Sequence, residues 1–177
     1  MKKVFLILVV AFMTLFAKET FSQNLMLNAN THETTVERCA GYFYDNSSTG
    51  NYATSIDRWV TICPPASSAN TRTALTFEEF NIDPSDTVFI YQGVGINAPI
   101  MTTGNNIPYF QNQDLQGLTI MPSLMMNSPC LTLRLVSNGS ATASGWKAKI
   151  ECARDCQFPE ASLDTFFYKY DSEGNMT

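Results

Sequence analysis

LTFEEFNIDPSDTVFIYQG, residues 75–93, reads as two β-strands joined by a tight acidic turn. Apolar residues alternate through Leu75 and Phe77, then resume in the opposite phase at Phe80 and Ile82, so a bulge or a sandwich corner is expected between Glu78 and Glu79. Asp83 closes the first strand, Pro84 stops it and Asp86 opens the second. Two carboxylates three residues apart at such a turn suit a hard cation such as Ca²⁺. They equally suit plain turn formation, because Asp bonds to its own backbone and Pro presets φ.

Outward from this stretch the same grammar repeats. Strand signals fall at Val36–Tyr44, Arg58–Cys63, Ala74–Ile82, Thr87–Gln92, Gly117–Met121, Cys130–Ser137 and Gly145–Glu151, separated by Gly, Pro, Asn and Ser. Many short strands so punctuated, with no helical period after the leader, indicate an all-β fold built as a two-sheet sandwich. Residues 23–35 are polar and aperiodic and read as a linker.

The last two strands fix a further point. Leu131, Leu133 and Leu135 share one face of CLTLRLVS; Trp146, Ala148 and Ile150 share one face of GWKAKIEC. A hairpin pairing Cys130 with Cys152 sets Leu131 beside Glu151, Leu133 beside Lys149 and Leu135 beside Lys147. A half-buried sheet rejects that register. The two strands are therefore expected in opposite sheets, facing each other across the core. An inter-sheet Cys130–Cys152 bridge is expected, with Cys39–Cys63 as the other.

Cysteine usage agrees with the N-terminus. Lys2 and Lys3 precede an apolar run from Val4 to Phe16, too short for a membrane span and typical of a secretory signal. Cleavage after Ser22 removes residues 1–22 and sends the chain to an oxidising compartment or the cell surface, where disulfides are the default. It also removes a net +2, making the mature chain more acidic than the −5 of the full sequence. That argues against nucleic acid and anionic membrane as partners. Cys156 is left over and expects a partner elsewhere. After Cys152 the character changes, and residues 154–177, with Phe166, Phe167, Tyr168 and Tyr170, read as the opening of a further domain.

The ordered motifs match a known family. Cys39, then FYDNSSTGNY, RWVTICP, LTFEEFNID, DTVFIYQG, CLTLRLVSNGS and SGWKAKIEC resemble a CUB domain over about Val36 to Cys152. The resemblance implies a jelly-roll-like sandwich spanning residues 36–153. The FYD segment is most similar to CUB domains of large bacterial surface proteins exported by type IX secretion and associated with adhesion or gliding motility. The CARDCQ junction is similar to the passage into a PKD-like, immunoglobulin-type domain. The resemblance also implies a Ca²⁺ site at Asp83, Asp86, Asn138, Ser140 and Tyr52, whose loops contact a basic residue of a partner. The departures bear on this. Asn138 stands where the family has an aspartate, removing one charge from the site and weakening it. Gln92 replaces a frequent aspartate after IY, Ser47 and Ser48 replace paired glycines, and no cysteine lies within the DPSD turn.

Catalysis has little to draw on. His32, the sole histidine, lies in the polar segment expected outside the fold, so no base is positioned beside a nucleophile. Glu78 and Glu79 are neighbours on a strand and do not converge. The expected function is a non-catalytic extracellular binding or structural module whose partner is a protein or a glycan. The alternatives are an accessory domain of a secreted hydrolase such as a protease, or a polysaccharide binder using exposed aromatics such as Tyr52. The methionines of IMPSLMMNSPC read either as filler beneath a loop or as an adaptable contact surface.

Overall fold

The structure is a computed structural model, and it describes residues 24–154. Among them there is no helix, and so none long and apolar enough to cross a membrane. Nine strands run β1 Leu25–Met26, β2 Thr34–Glu37, β3 Tyr42–Tyr44, β4 Asp57–Cys63, β5 Thr71–Asn81, β6 Thr87–Tyr91, β7 Thr119–Ile120, β8 Leu131–Val136 and β9 Gly145–Arg154. They form a five-stranded sheet, β1-β3-β9-β5-β7, and a four-stranded sheet, β2-β4-β8-β6. The result is the expected all-β, jelly-roll-like two-sheet sandwich.

Period-two alternation explains how the sheets meet. Leu131, Leu133 and Leu135 of β8 and Val60 and Ile62 of β4 are fully buried, as are Phe77 of β5 and Ala148 of β9. Trp146 and Phe43 pack edge to face with centroids 5.4 Å apart, and Phe77 and Phe80 do the same. Each such ring or branched side chain withdrawn from water contributes roughly 1.5–3 kcal/mol. As the leucine face of β8 required, β8 and β9 lie in opposite sheets.

The phase switch in β5 is a bulge, where pairing with β9 slips between Phe77 and Glu79. Gln116 satisfies the backbone there: Phe80 N–H donates to its Oε1 at 2.7 Å, and its Nε2 donates to Glu78 O at 2.6 Å. Both glutamates are exposed as a result, and Glu78 pairs with Lys147 at 2.7 Å.

Several expectations are corrected. The segment 23–35 is not a linker. It supplies β1, whose Leu25 and the following Leu27 are buried, and the start of β2. The expected strand Val36–Tyr44 is two strands in different sheets, divided at Gly41, whose φ of 103° no branched residue adopts comfortably. His32 belongs to the fold: its Nδ1 accepts the Trp59 N–H at 3.2 Å and its ring meets Trp59 edge-on.

The disulfides are Cys39–Cys152 and Cys63–Cys130, not Cys39–Cys63 and Cys130–Cys152. The reason is lateral. β8 is hydrogen-bonded to β4, and the register that sets Ile62 opposite Leu131 runs on to place Cys63 opposite Cys130, with Cα atoms 4.4 Å apart. Cys39 follows β2 and precedes β3, on the crossing between sheets, and so reaches Cys152 of β9. All four cysteines gather at one end of the sandwich, and proximity to an end does not select a partner. The signal segment 1–22, Cys156 and the expected domain beyond Arg154 lie outside the described residues.

Candidate functional site

The end of the sandwich opposite the disulfides is built from three loops: residues 45–56, the turn 83–86, and residues 137–144. The turn is closed by Asp86 N–H to Asp83 O at 2.9 Å. Its two carboxylates do different work. Asp83 Oδ1 accepts from Ser85 N at 2.9 Å and Ser85 Oγ at 2.6 Å, an Asx turn in which the side chain stands in for backbone. These two bonds hold the Asp83 carboxyl below its usual range. Asp86 instead turns inward and is 1% exposed.

A buried carboxylate needs partners, and Asp86 has them from both other loops. Tyr52 Oη donates to its Oδ2 at 2.6 Å, and Asn138 N–H donates to its Oδ1 at 2.7 Å. Tyr52 Oη also accepts from Asp83 N–H at 3.0 Å. Burial first, and then the bond to Asp86, push the Tyr52 phenol far above its usual range, so it is a permanent donor. Gln111 supports the turn from below, its Nε2 donating to Pro84 O at 2.8 Å and Asp86 O at 2.7 Å. The outer loops are laced together: Tyr52 N to Ala143 O, Ser55 N to Asn138 O, Ser137 Oγ to Ala53 O.

The five residues expected at a Ca²⁺ site are thus brought to one end of the molecule. Tyr52, Asp83, Asp86 and Asn138 are directly connected, and Ser140 joins through its N and Oγ, which both donate to Asn138 Oδ1. The donors are all oxygens, the kind of ligand Ca²⁺ takes. Their number is small: two carboxylates contribute, and among the described residues no group of three or more His, Cys, Asp or Glu side chains gathers anywhere. Asp86 also spends both oxygens on protein donors. The set therefore fits a weak site in chemistry, while the network is complete without an ion. Tyr52 is 2% exposed, so it offers no ring face to a glycan.

Asp45, unremarked in the sequence beyond its place in FYD, is the other buried acid of this end. It is fully buried at the end of β3, and its carboxylate accepts from Ser47 N at 2.5 Å and Trp146 N at 2.9 Å. Desolvation outweighs these bonds and its pKa is pushed up to about 6. Its Oδ2 lies where a Cβ on Gly145 would be, and Gly145 has φ +73°, so this position accepts only glycine. The legible signal was the pair it joins, an aspartate ending FYD and the glycine opening GWKAKIEC.

No protein-family model and no curated protein matches the sequence. Solved structures match the fold. The sandwich is similar to part of the full extracellular region of zebrafish Gpr126/Adgrg6, with TM-score 0.53 and 17% identity over 68% of this chain and 14% of that one. It is similar to the CUB1-EGF-CUB2 domains of rat MASP-1, with TM-score 0.51 and 14% identity over 81% of this chain and 52% of that one. The same region of human MASP-1/3 gives TM-score 0.50 and 15% identity, covering 72% of this chain and 46% of that one. The chain spans between 14% and 52% of the length of these structures. At such identities the shared property is the fold, which is a CUB-like β-sandwich.

Proposed function

We propose that this chain is a non-catalytic, extracellular binding module that presents the three-loop end as its contact surface. The observation that carries the reading is the buried Asp86 carboxylate, which ties Tyr52 and Asn138 from separate loops and so holds all three in one arrangement before any partner arrives. Preorganised loops lose little entropy on binding. The half-exposed Asp83 carboxylate and the exposed Ser140 hydroxyl face outward from that frame and suit a basic partner residue.

Ca²⁺ at this end would be held by Asp83, Asp86, Asn138, Ser140 and Tyr52, adding positive charge and cross-linking loops that are already joined. The two disulfides support an extracellular, oxidising setting. The finer assignment, to adhesion or gliding in a bacterial surface protein, is supported by the FYD and CARDCQ motifs.

The test is retention of the intact chain on arrays of extracellular proteins and Lys/Arg-bearing peptides. The reading expects retention that is lost in Asp83→Ala and in Ser140→Ala while near-ultraviolet circular dichroism is unchanged. Retention indifferent to both substitutions would overturn it.

A further inference from the structure

The outer face of the four-stranded sheet carries a feature that the three-loop end does not use. Trp59 of β4 stands opposite Arg134 of β8, and Arg134 stands opposite Phe89 of β6. The three form one row across three hydrogen-bonded strands. Flanking loops lengthen it: His32 meets Trp59 edge-on with centroids 6.2 Å apart, and Tyr109 meets Phe89 edge-on at 6.4 Å. All five side chains are half-buried. The guanidinium of Arg134 lies 5.8 Å from the Phe89 centroid and is clamped by Asp57 through two bonds of 2.7 and 2.6 Å.

The row has a wall. After β6 the chain folds back over the same face as a strap, residues 93–98. Gly95 N–H donates to Thr61 Oγ1 at 3.1 Å and Thr132 Oγ1 at 2.9 Å, and Thr132 Oγ1 donates to Gly93 O at 2.7 Å. These threonines are the next outward-facing pair after Trp59 and Arg134, and the strap buries both completely. A Cβ on Gly95 would meet the Trp59 ring edge at 3.9 Å, and the strap leaves Val94 58% exposed. The floor is aromatic and the wall apolar.

From this row and the strap beside it we infer that the outer face of the four-stranded sheet binds a neutral polysaccharide chain, with Trp59 as the stacking platform and Asp57 and Arg134 as the pair that reads hydroxyl groups. A sugar ring has an apolar C–H face and a rim of hydroxyls, and the row offers the complement of each. The charges select neutrality, since Arg134 is already matched by Asp57 and leaves no net positive charge for an acidic polymer. The dimensions favour a single chain: Trp59 and Phe89 are two strand spacings apart, roughly 10 Å. A stable protein interface needs about 800 Å² on each side, whereas this row is one residue deep across three strands. β4 and β8 are hydrogen-bonded on both edges, so no peptide can add to them as a strand. The site lies apart from the three-loop end, and the inference stands whether or not that end binds a protein.

Tryptophan emission reads this directly. The chain has two tryptophans, and Trp146 is 2% exposed in the core, so a ligand-dependent change reports Trp59. The intact chain is titrated with laminarin, hydroxyethyl cellulose and galactomannan, and with heparin and polygalacturonate as acidic counterparts. Retardation in affinity gels made with the same polymers is the second readout. The expected result is an emission shift and retardation with at least one neutral polymer, both about tenfold weaker in Phe89→Ala and Asp57→Asn, with retardation alone, since the reporting ring is gone, weakened to the same degree in Trp59→Ala, and both unchanged in Tyr42→Ala on the other sheet. Absence of any shift or retardation with the neutral polymers overturns the inference. So does retardation by acidic polymers alone, retardation that survives Phe89→Ala and Asp57→Asn, or capture of a protein that those variants abolish while no polysaccharide binds.

Discussion

The Tyr52 hydroxyl donates to Asp86 at 2.6 Å while accepting the Asp83 N–H at 3.0 Å, so one phenol joins an early loop to both ends of the acidic turn. Asp86 lies in β6's leading turn, 34 positions along the chain from Tyr52. Removing the hydroxyl strands a buried carboxylate oxygen and a backbone donor together. Tyr52→Phe is expected to cost about 2 kcal/mol of unfolding free energy in urea titration. A loss below a few tenths of a kcal/mol would show that water replaces the phenol without penalty.

Ca²⁺ makes a separate demand on the same residues. Millimolar Ca²⁺ is expected to raise the melting temperature of the intact chain by a small amount, since only two carboxylates contribute. Asp86→Ala should abolish the rise. If the melting temperature of the unaltered chain does not respond to Ca²⁺, the metal has no place at this end, and the hydrogen-bond network alone accounts for its order.

Asp45 gives the pH dependence. Its folded pKa, about 6, lies above the ordinary value of 3.8, so the folded state prefers the protonated acid more than the unfolded state does. The stabilisation this confers is full below about pH 4 and is lost as pH rises through 6. Its contribution should therefore fall by on the order of 2–3 kcal/mol across that window. Unfolding measured from pH 4 to 7 should show this downward contribution, and the slope should flatten in Asp45→Asn. Equal slopes in the two proteins would mean that the carboxylate gains enough from Ser47 and Trp146 N–H groups to offset its desolvation.

The cysteine connectivity is checked by non-reducing peptide mapping. Peptides joining Cys39 to Cys152 and Cys63 to Cys130 are expected, and a Cys39–Cys63 peptide would contradict the strand register. The bridges span 113 and 67 residues of sequence. Loops of that length make each bridge worth on the order of 4 kcal/mol. Replacing either pair by alanine should lower the urea midpoint accordingly.

Alternation alone placed Leu131, Leu133 and Leu135 on a buried face and put β8 and β9 in opposite sheets. The change of phase at Glu78 and Glu79 located the bulge. Those are local properties, because side-chain direction along a strand has period two. The residues of the three-loop end, Tyr52, Asp83, Asp86, Asn138 and Ser140, came from motif resemblance and do meet at one end. What they do there depends on direction: Asp83 caps its own turn, Asp86 faces inward, and Tyr52 is buried. No pattern along the chain distinguishes two aspartates three positions apart in this way.

Alternation along the chain was enough for most of the strands, for the inward faces of β5, β8 and β9 and for the two-layer class, because burial of alternating apolar residues leaves few other arrangements; it missed β1 and the break between β2 and β3 at Gly41. Which strands lie side by side is a property of the folded sandwich. That lateral order pairs Cys63 with Cys130, draws residues 25–27 into the core, brings His32 onto Trp59 and lines up Trp59, Arg134 and Phe89 across three strands. Inward-facing patterns on different strands are nearly interchangeable. Neighbour choice is settled by the summed packing and hydrogen bonding of the whole sandwich, which no single segment encodes.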